Sequence, residues 1–333
     1  PAPPAARRDQ RRVRGVRGMT TLVTGIGLVG TAFARCALQR GEQVVFLDLQ
    51  ERPDYLHERL GPVAADIPTV RADIRDQSAV LSAMRDHKAE TVVHTAGLIG
   101  DSVSRQLYTG LEVNVTGTIN VLEAVRLNRV RRLVLISSFA VYDRRRARGA
   151  PLTEDAPRGP GRAYGNSKVM KELAAESYQK EFGFELAILR PANAYGYGHF
   201  EGGSFGSKIQ ALLQAGIKGQ AAFVDQKHTM DFEYVYDLDV GRAVDLAATV
   251  DLPERAVFNI GTGTITTFED LVGAARRIFD DLKVQVIPGQ PPAVSAGDPL
   301  DLSHTETALG WKPTFDMEAG LSHYAYELRR LSQ

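Results

Sequence analysis

The sequence predicts an α/β protein, a doubly wound parallel sheet with a smaller C-terminal lobe. Short apolar runs alternate with helix-period segments from Thr20 onward, most runs are apolar at nearly every position, and the joints between them are short. Strands covered on both faces read as continuous apolar runs, and parallel neighbours need a crossover between them. A length of 333 residues suits one large α/β domain or two lobes on a shared core.

The first eighteen residues, PAPPAARRDQRRVRGVRG, stand outside this pattern, with six arginines, three prolines and almost nothing to bury. They read as a disordered extension or a foreign remnant, with Met19 as the natural start; a nucleic-acid-binding arm or an organelle transit peptide is the alternative. The strand candidates that follow are TTLVT (20–24), QVVFLD (43–48), TVRAD (69–73), TVVHTA (91–96), RLVLISS (132–138) and ELAILR (185–190). After the first, Val29, Ala32, Phe33, Cys36 and Ala37 share one helix face, and Gly41 ends the helix. Residues 19–190 are expected to form the first domain. Beyond Arg190 the pattern loosens. RPANAYGYGHFEGGSFG (190–206) reads as a functional loop, and AAFVD (221–225), AVFNI (256–260) and KVQVI (283–287) are later strands. Residues 191–330 are expected to form mainly a substrate-binding lobe, the chain returning to the first domain around 221–263.

Composition excludes several classes. Lys+Arg and Asp+Glu are both 40, so no bulk charge draws the chain to nucleic acid or a membrane surface. No apolar run is long enough to span a bilayer. The lone Cys36 has no disulfide partner, which favours a reducing compartment, the cytoplasm, and a buried thiol rather than a nucleophile. No metal-ligand pattern is read.

Residues 21–30, TLVTGIGLVG, place a GxGxxG between a strand and a helix. Gly25 would make the tight turn, Gly27 would let backbone approach a pyrophosphate, and Gly30 would let helix and strand pack closely. The helix start offers N–H groups and a positive dipole end to phosphate. Asp48, 23 residues after Gly25, would accept from a ribose 2′-OH, favouring NAD over NADP, although Arg52 lies near. In RADIRD (71–76), Asp73 and Ile74 could meet the adenine; in HTAG (94–97), Ala96 lets backbone pass close to the ligand. His94 reads as a satisfied core histidine.

YGNSK (164–168) opens a long helical run, and Tyr164 and Lys168, four apart, share its face. A neighbouring ammonium favours the phenolate, which makes Tyr164 a general acid/base candidate. Ser137 and Ser138 end a strand, where a hydroxyl could hold a substrate oxygen.

Together these stretches resemble the extended short-chain dehydrogenase/reductases, the NAD-dependent epimerase/dehydratase family that includes UDP-galactose 4-epimerase. The resemblance covers about residues 20–330, adding NVTGTINVLEA (114–124), ISSFAVY (136–142), RPANAYG (190–196), DFEYVYDLD (231–239), FNIGTG (258–263) and LGWKP (309–313). It implies a Rossmann sheet, bound NAD and a small-molecule substrate. Four residues before Tyr142, Ser138 becomes the catalytic serine, and Asn114 braces the helix and an active-site water. It also implies a homodimer through the helices carrying 107–128 and 164–182.

The departures are informative. The glycine loop is one residue shorter than the GxxGxxG of extended members, which puts the geometry around Ile26 in question. Met230 stands where nucleotide-sugar members place an arginine, and Ser295 and Ala296 precede Gly-Asp where a second is common. Without those forks, the expected substrate lacks a diphosphate: a sugar, sugar acid, polyol or other hydroxy-acid derivative. Lys227 or His228 could compensate. Phe139 and Ala140 replace the Asp-Glu of the dehydratases, which argues against 4,6-dehydration. Asp101, Ser102, Asn193 and His199 are the candidate substrate contacts. The favoured reading is an NAD-dependent dehydrogenase acting on a secondary hydroxyl; an epimerase built from the same parts is the alternative. A non-catalytic NAD sensor fits poorly with an intact Tyr/Lys pair.

Overall fold

The computed structural model describes residues 18–146, 149–198, 205–292 and 297–331. Its strands are β1 (Thr20–Thr24), β2 (Gln43–Asp48), β3 (Thr69–Arg71), β4 (Thr91–His94), β5 (Arg132–Ile136), β6 (Glu185–Pro191), β7 (Asn193–Tyr195), β8 (Ala222–Asp225), β9 (Tyr234–Tyr236), β10 (Val257–Ile260) and β11 (Val284–Ile287). Seven of them form one parallel sheet in the order β3-β2-β1-β4-β5-β6-β10. The order reverses between β1 and β4, where Leu22 pairs with Val45 on one side and Val92 on the other. A cleft opens at the carboxyl ends of strands at such a reversal, and it receives the ligand in folds of this kind.

The unbroken apolar character of these strands has a direct cause. Val23, Phe46, Val93, Val134 and Leu189 enter one core, while Leu22, Leu47, Val92, Leu133 and Ile188 enter the core on the opposite face. The first core is covered by α1 (Leu28–Gln39), which packs beside α2 (Pro53–Leu60). The second is covered by α3 (Gln77–Asp86) and, beyond the short α4 (Asp101–Arg105) and α5 (Leu107–Leu111), by α6 (Gly117–Leu127) and α7 (Ala163–Phe182). Helix α1 buries Leu28, Ala32, Phe33 and Ala37; Val29 and Cys36 lie at its margin. Burial, and then the charge of Asp245, pushes the Cys36 thiol up to about 11.

Beyond α8 (Phe205–Ile217) the chain re-enters the main body with α9 (Asp237–Thr249) and β10. Helix α9 lies against α1, and a Cβ on Gly241 would stand 2.6 Å from the Ala32 carbonyl, so a glycine is needed at the crossing. Strand β10 extends the sheet beside β6, Val257 against Ile188. AAFVD and KVQVI are both strands, but they pair with each other, Ala222 beside Val284, in a separate two-stranded sheet. A second small sheet pairs β7 with β9, Asn193 beside Tyr234. These strands of three residues are too short to show a periodicity, so RPANAYG reads as loop in the sequence although it contains β7.

A third core gathers Tyr195, Leu213, Met230, Phe232, Tyr234 and Tyr236 with residues of α10 (Phe268–Ile278) and α12 (Met317–Leu331). Tyr195 and Tyr236 lie 5.2 Å apart at their centroids. Between α10 and α12, α11 (Ser303–Leu309) returns to β10, and buried Trp311 donates its indole N–H to the Asp239 carbonyl at 3.0 Å. Buried Arg59 of α2 pairs with Asp237 of α9, and its Nη1 lies 3.3 Å from Glu327 of α12. The tie crosses three helices that are remote in sequence.

Candidate active site

The glycine loop leaves β1 at Thr24 and enters α1 with Gly27 as its N-cap. Gly25 has φ +97°, and a Cβ there would stand 2.6 Å from Thr95 Oγ1 and 3.0 Å from the Ala96 nitrogen. A Cβ on Gly30 would overlap the Gly25 carbonyl oxygen, so helix and loop touch backbone to backbone. Gly27 differs: nothing lies within 4 Å of where its Cβ would be. Open space before the N-terminus of a helix suits a pyrophosphate, and the residues present therefore fit a dinucleotide.

At the end of β2, Asp48 accepts the Ile26 N–H at 2.6 Å and the Gln50 N–H at 2.9 Å. The carboxylate thus fixes the shortened loop at Ile26, and each oxygen keeps a lone pair for ribose hydroxyls. Arg52 is drawn towards the Gln50 side chain, Nη2 donating to Oε1 at 2.9 Å. The adenine-side candidates are placed less favourably. The Asp73 carboxylate is held by Arg75, with Nη2 at 2.6 Å, and these hydrogen bonds keep it below the usual carboxylate range. Ile74 turns into the second core, where a Cβ on Gly117 would stand 2.7 Å from its side chain.

His94 is fully buried with both ring nitrogens hydrogen-bonded, Nδ1 to Thr24 Oγ1 at 2.6 Å and Nε2 to Thr118 Oγ1 at 2.9 Å. Burial, with Lys171 and Lys168 nearby, holds its ring well below the usual histidine range. Ala96 lies half-buried beside Gly25. Asn114, in a π-helical turn (Glu112–Thr116), clasps Leu98 through both halves of its amide, at 2.7 and 3.0 Å. It also donates to Ser167 Oγ at 3.1 Å, and Ser167 donates to the Tyr164 carbonyl at 2.7 Å. The loop after β4 is thereby tied to the first turn of α7.

Tyr164 and Lys168 stand on that turn. The Lys168 ammonium lies 5.6 Å from the centroid of the Tyr164 ring and donates one proton to the Ile136 carbonyl at 3.0 Å. Lys168 is buried and Tyr164 half-buried. Ser138 caps the short 3-10 turn Phe139–Val141, its hydroxyl oxygen accepting the Ala140 N–H at 3.2 Å. With that lone pair engaged, its proton is free to go to a substrate oxygen. A residue whose role the sequence reading missed, Gly165, brings the two segments together: a Cβ there would overlap the Ala140 carbonyl oxygen. The glycine inside YGNSK was the available signal.

A buried network fixes this geometry from behind. Glu172, one turn after Lys168, receives Arg190 Nε at 2.9 Å and Nη2 at 2.7 Å. Arg190 also donates to the Tyr142 hydroxyl at 3.0 Å, and Tyr142 donates to Asn259 Oδ1 at 2.5 Å. Serine segment, α7, β6 and β10 therefore share one set of hydrogen bonds. Lys171 has no such place. It is fully buried, and among the described residues its Nζ has no hydrogen-bond partner. Burial first, and the Lys168 ammonium second, hold it well below the usual lysine range.

The remaining candidates scatter. Asn193 donates its backbone N–H and Nδ2 to the Glu233 carbonyl at 3.1 and 3.3 Å. Asp101 is exposed at the start of α4 with half-buried Ser102 next to it, and Asp101 acts electrostatically on His228. Lys227 and His228 lie 3.8 and 3.6 Å from Asp225. His199, Ser295 and Ala296 lie outside the described residues. Met230 is buried among the aromatics of the third core, so its position is one of packing.

Residues 21–261 match the family described as NAD dependent epimerase/dehydratase. The chain is 31% identical over 332 residues to the UDP-glucose 4-epimerase of Mycolicibacterium smegmatis, covering 95% of this chain and all of that protein. Among solved structures, it is similar to UDP-glucose 4-epimerase with UDP-glucose from Thermotoga maritima, at 25% identity and TM-score 0.81, covering 95% of this chain and 100% of that one. It is also similar to the Thermus thermophilus UDP-glucose 4-epimerase in complex with NAD, at 25% identity and TM-score 0.80, covering 93% and 99%. With the glycine cradle, the Asp48 acceptor and the Ser138–Tyr164–Lys168 cluster on one sheet edge, the chain belongs to the NAD-dependent epimerase/dehydratase family as an enzyme of the extended short-chain dehydrogenase type, and its cofactor is NAD.

Proposed function

We propose that this enzyme is an epimerase that inverts a secondary carbinol of a sugar or sugar derivative. One observation carries the reading: the turn after Ser138 packs on the Tyr164–Lys168 turn through Gly165, and the two residues after Ser138 are Phe139 and Ala140, so no carboxylate pair follows it to eliminate water. When bound along the Gly25–Gly30 loop and Asp48, NAD supplies an acceptor that takes a hydride from the carbinol carbon and gives it back. Tyr164 removes the hydroxyl proton and restores it, Lys168 stabilises the phenolate, and Ser138 donates a hydrogen bond that holds the oxygen in place. Inversion requires the keto form to present its other face between the two transfers.

The dehydrogenase reading takes second place because relatives matching 88% and 95% of the chain are named UDP-glucose 4-epimerase. What favours it is the absence of an arginine at Met230, which argues against a nucleotide diphosphate. Absorbance at 340 nm with excess NAD separates the two: an epimerase interconverts substrate and product without accumulating NADH, and steady stoichiometric NADH formation sinks this proposal.

We also propose a homodimer. Leu107, Tyr108, Ile119 and Leu127, on α5 and α6, and Met170, Leu173 and Phe182 of α7, are exposed large apolar side chains on adjacent helices. Light scattering that returns the mass of one chain refutes it. A cytoplasmic location is part of the same proposal, on the ground that Cys36 is the one cysteine of the sequence and has no disulfide partner.

A further inference from the structure

Arg144 lies six residues past Ser138, in the turns that follow β5. Its guanidinium carbon stands 5.1 Å from the ring centroid of Phe139, the neighbour of Ser138. A Cβ on Gly297 would overlap its Nη1 and stand 3.0 Å from Cδ and Cζ, so the guanidinium lies directly against the Gly297 backbone. It is half-buried, yet among the described residues its side chain makes no hydrogen bond and no ion pair. Burial weighs against its charge, which Glu233 and Asp298 support from a distance. Both carboxylates are engaged elsewhere. Glu233 accepts from the N–H groups of Thr262 and Gly263 at 2.8 Å and Leu300 at 2.7 Å, and Asp298 from Gly149 at 3.1 Å.

The location matters as much as the missing partner. Phe139 follows β5, Asn193 follows β6 and binds the Glu233 carbonyl, and Thr262 follows β10. These strands are adjacent and parallel, so all three loops lie at the carboxyl edge where the substrate must meet Ser138 and Tyr164. A guanidinium is a planar fork suited to two oxygens of one anion, and its unused donors are costly out of water until an acceptor arrives.

We propose that Arg144 is the substrate-anion site: it receives an oxyanion, carboxylate or phosphate, carried by the sugar whose carbinol stands at Ser138 and Tyr164. The inference rests on the proposed epimerase reading and names the substrate class which that reading leaves open. From a different segment, Arg144 supplies the positive fork that the Met230 position lacks.

The test uses the full chain with saturating NAD and four probes: D-glucose, D-glucuronate, D-glucose 1-phosphate and UDP-glucose. Calorimetry and turnover are measured for the native protein and for Arg144→Met, Arg144→Lys and Gly297→Ala. Native protein is expected to bind an anionic probe about 10- to 100-fold more tightly than glucose, the range of a charge-assisted hydrogen-bonded pair. Preference for glucuronate alone assigns a carboxylate; preference for the two phosphorylated probes assigns a phosphate. Arg144→Met should erase the preference and raise KM far more than it lowers kcat. Arg144→Lys should restore part of it, and Gly297→Ala, whose methyl displaces the guanidinium, should weaken it.

Equal affinity for charged and neutral probes overturns the proposal, as does a parallel loss for both in Arg144→Met. If Arg144→Met fails to fold, Gly297→Ala decides, and an undiminished anion preference in that variant overturns it. Failure of the epimerase reading looks different: NADH accumulates, or no epimer forms, while the calorimetric preference stands.

Discussion

Replacing Lys171 with methionine should stabilise the protein. Methionine matches the lysine in length and flexibility and carries no group that needs a partner. The native Nζ is fully buried without an acceptor among the described residues. An unsatisfied buried polar group costs about 1–3 kcal/mol, so the variant should gain roughly that at pH 7. The gain should depend on pH in a definite direction. Burial and Lys168 lower the folded-state pKa of Lys171, so between that value and the unfolded one the native state binds fewer protons than the unfolded chain. Native stability then rises with pH through this window, by up to about 1.4 kcal/mol per pH unit for one proton, and the methionine variant lacks this slope. Urea midpoints without added dinucleotide at pH 7 and pH 9 measure both effects: the variant should lead at pH 7 and lose part of its lead at pH 9. A variant less stable than native at pH 7, with an unchanged m value, would refute the reasoning, because it would mean that the amine has a stabilising partner.

Further outcomes follow from the site. Tyr164→Phe should lower turnover by about 10²–10⁴-fold while dinucleotide affinity, followed by calorimetry, changes little. Gly165→Ala must push its methyl against the Ala140 carbonyl oxygen, so kcat should fall together with the melting temperature, and a crystal structure should show the Ser138 turn displaced. Glu172→Gln leaves Arg190 buried without its closest counter-charge, at a cost of about 3–5 kcal/mol at neutral pH. Burial pushes the Glu172 carboxyl up, but the hydrogen bonds and charge of Arg190 prevail and hold it below the usual range. Its contribution is therefore present above about pH 4.3 and lost as pH falls below that, so denaturation curves of native and variant should converge in acid.

Five of the six leading strands, β1, β2, β4, β5 and β6, are legible because each feeds two cores, which forces apolar residues at consecutive positions. AAFVD and KVQVI are equally legible as strands, but their partnership is not, since nothing in an apolar run states which edge it meets. β7 and β9 escape because three residues rich in tyrosine show no period. In the site, Gly25, Gly30, Tyr164 and Lys168 could be read from type and spacing alone; Ser138 needed the family pattern to separate it from Ser137. The side chain of Ile74 packs against Gly117, more than forty residues away, a contact that spacing does not announce. Gly165 sits in a quoted motif, yet its role depends on a carbonyl at Ala140. Arg144 opens a run of three arginines (144–146), and its packing against Phe139 and the Gly297 backbone is visible in the structure alone.

The return of the chain to the main sheet bears on how this protein is made. β6 gains its outer neighbour, and α1 its cover, only when residues 237–260 have been synthesised. A nascent chain ending at Pro191 would hold every residue of the glycine loop and the tyrosine helix, yet leave Phe33 and Ala32 uncovered and the backbone of Ile188 unpaired. A cut near residue 190 would therefore part β6 from its outer neighbour β10 and α1 from the helix that crosses it at Gly241.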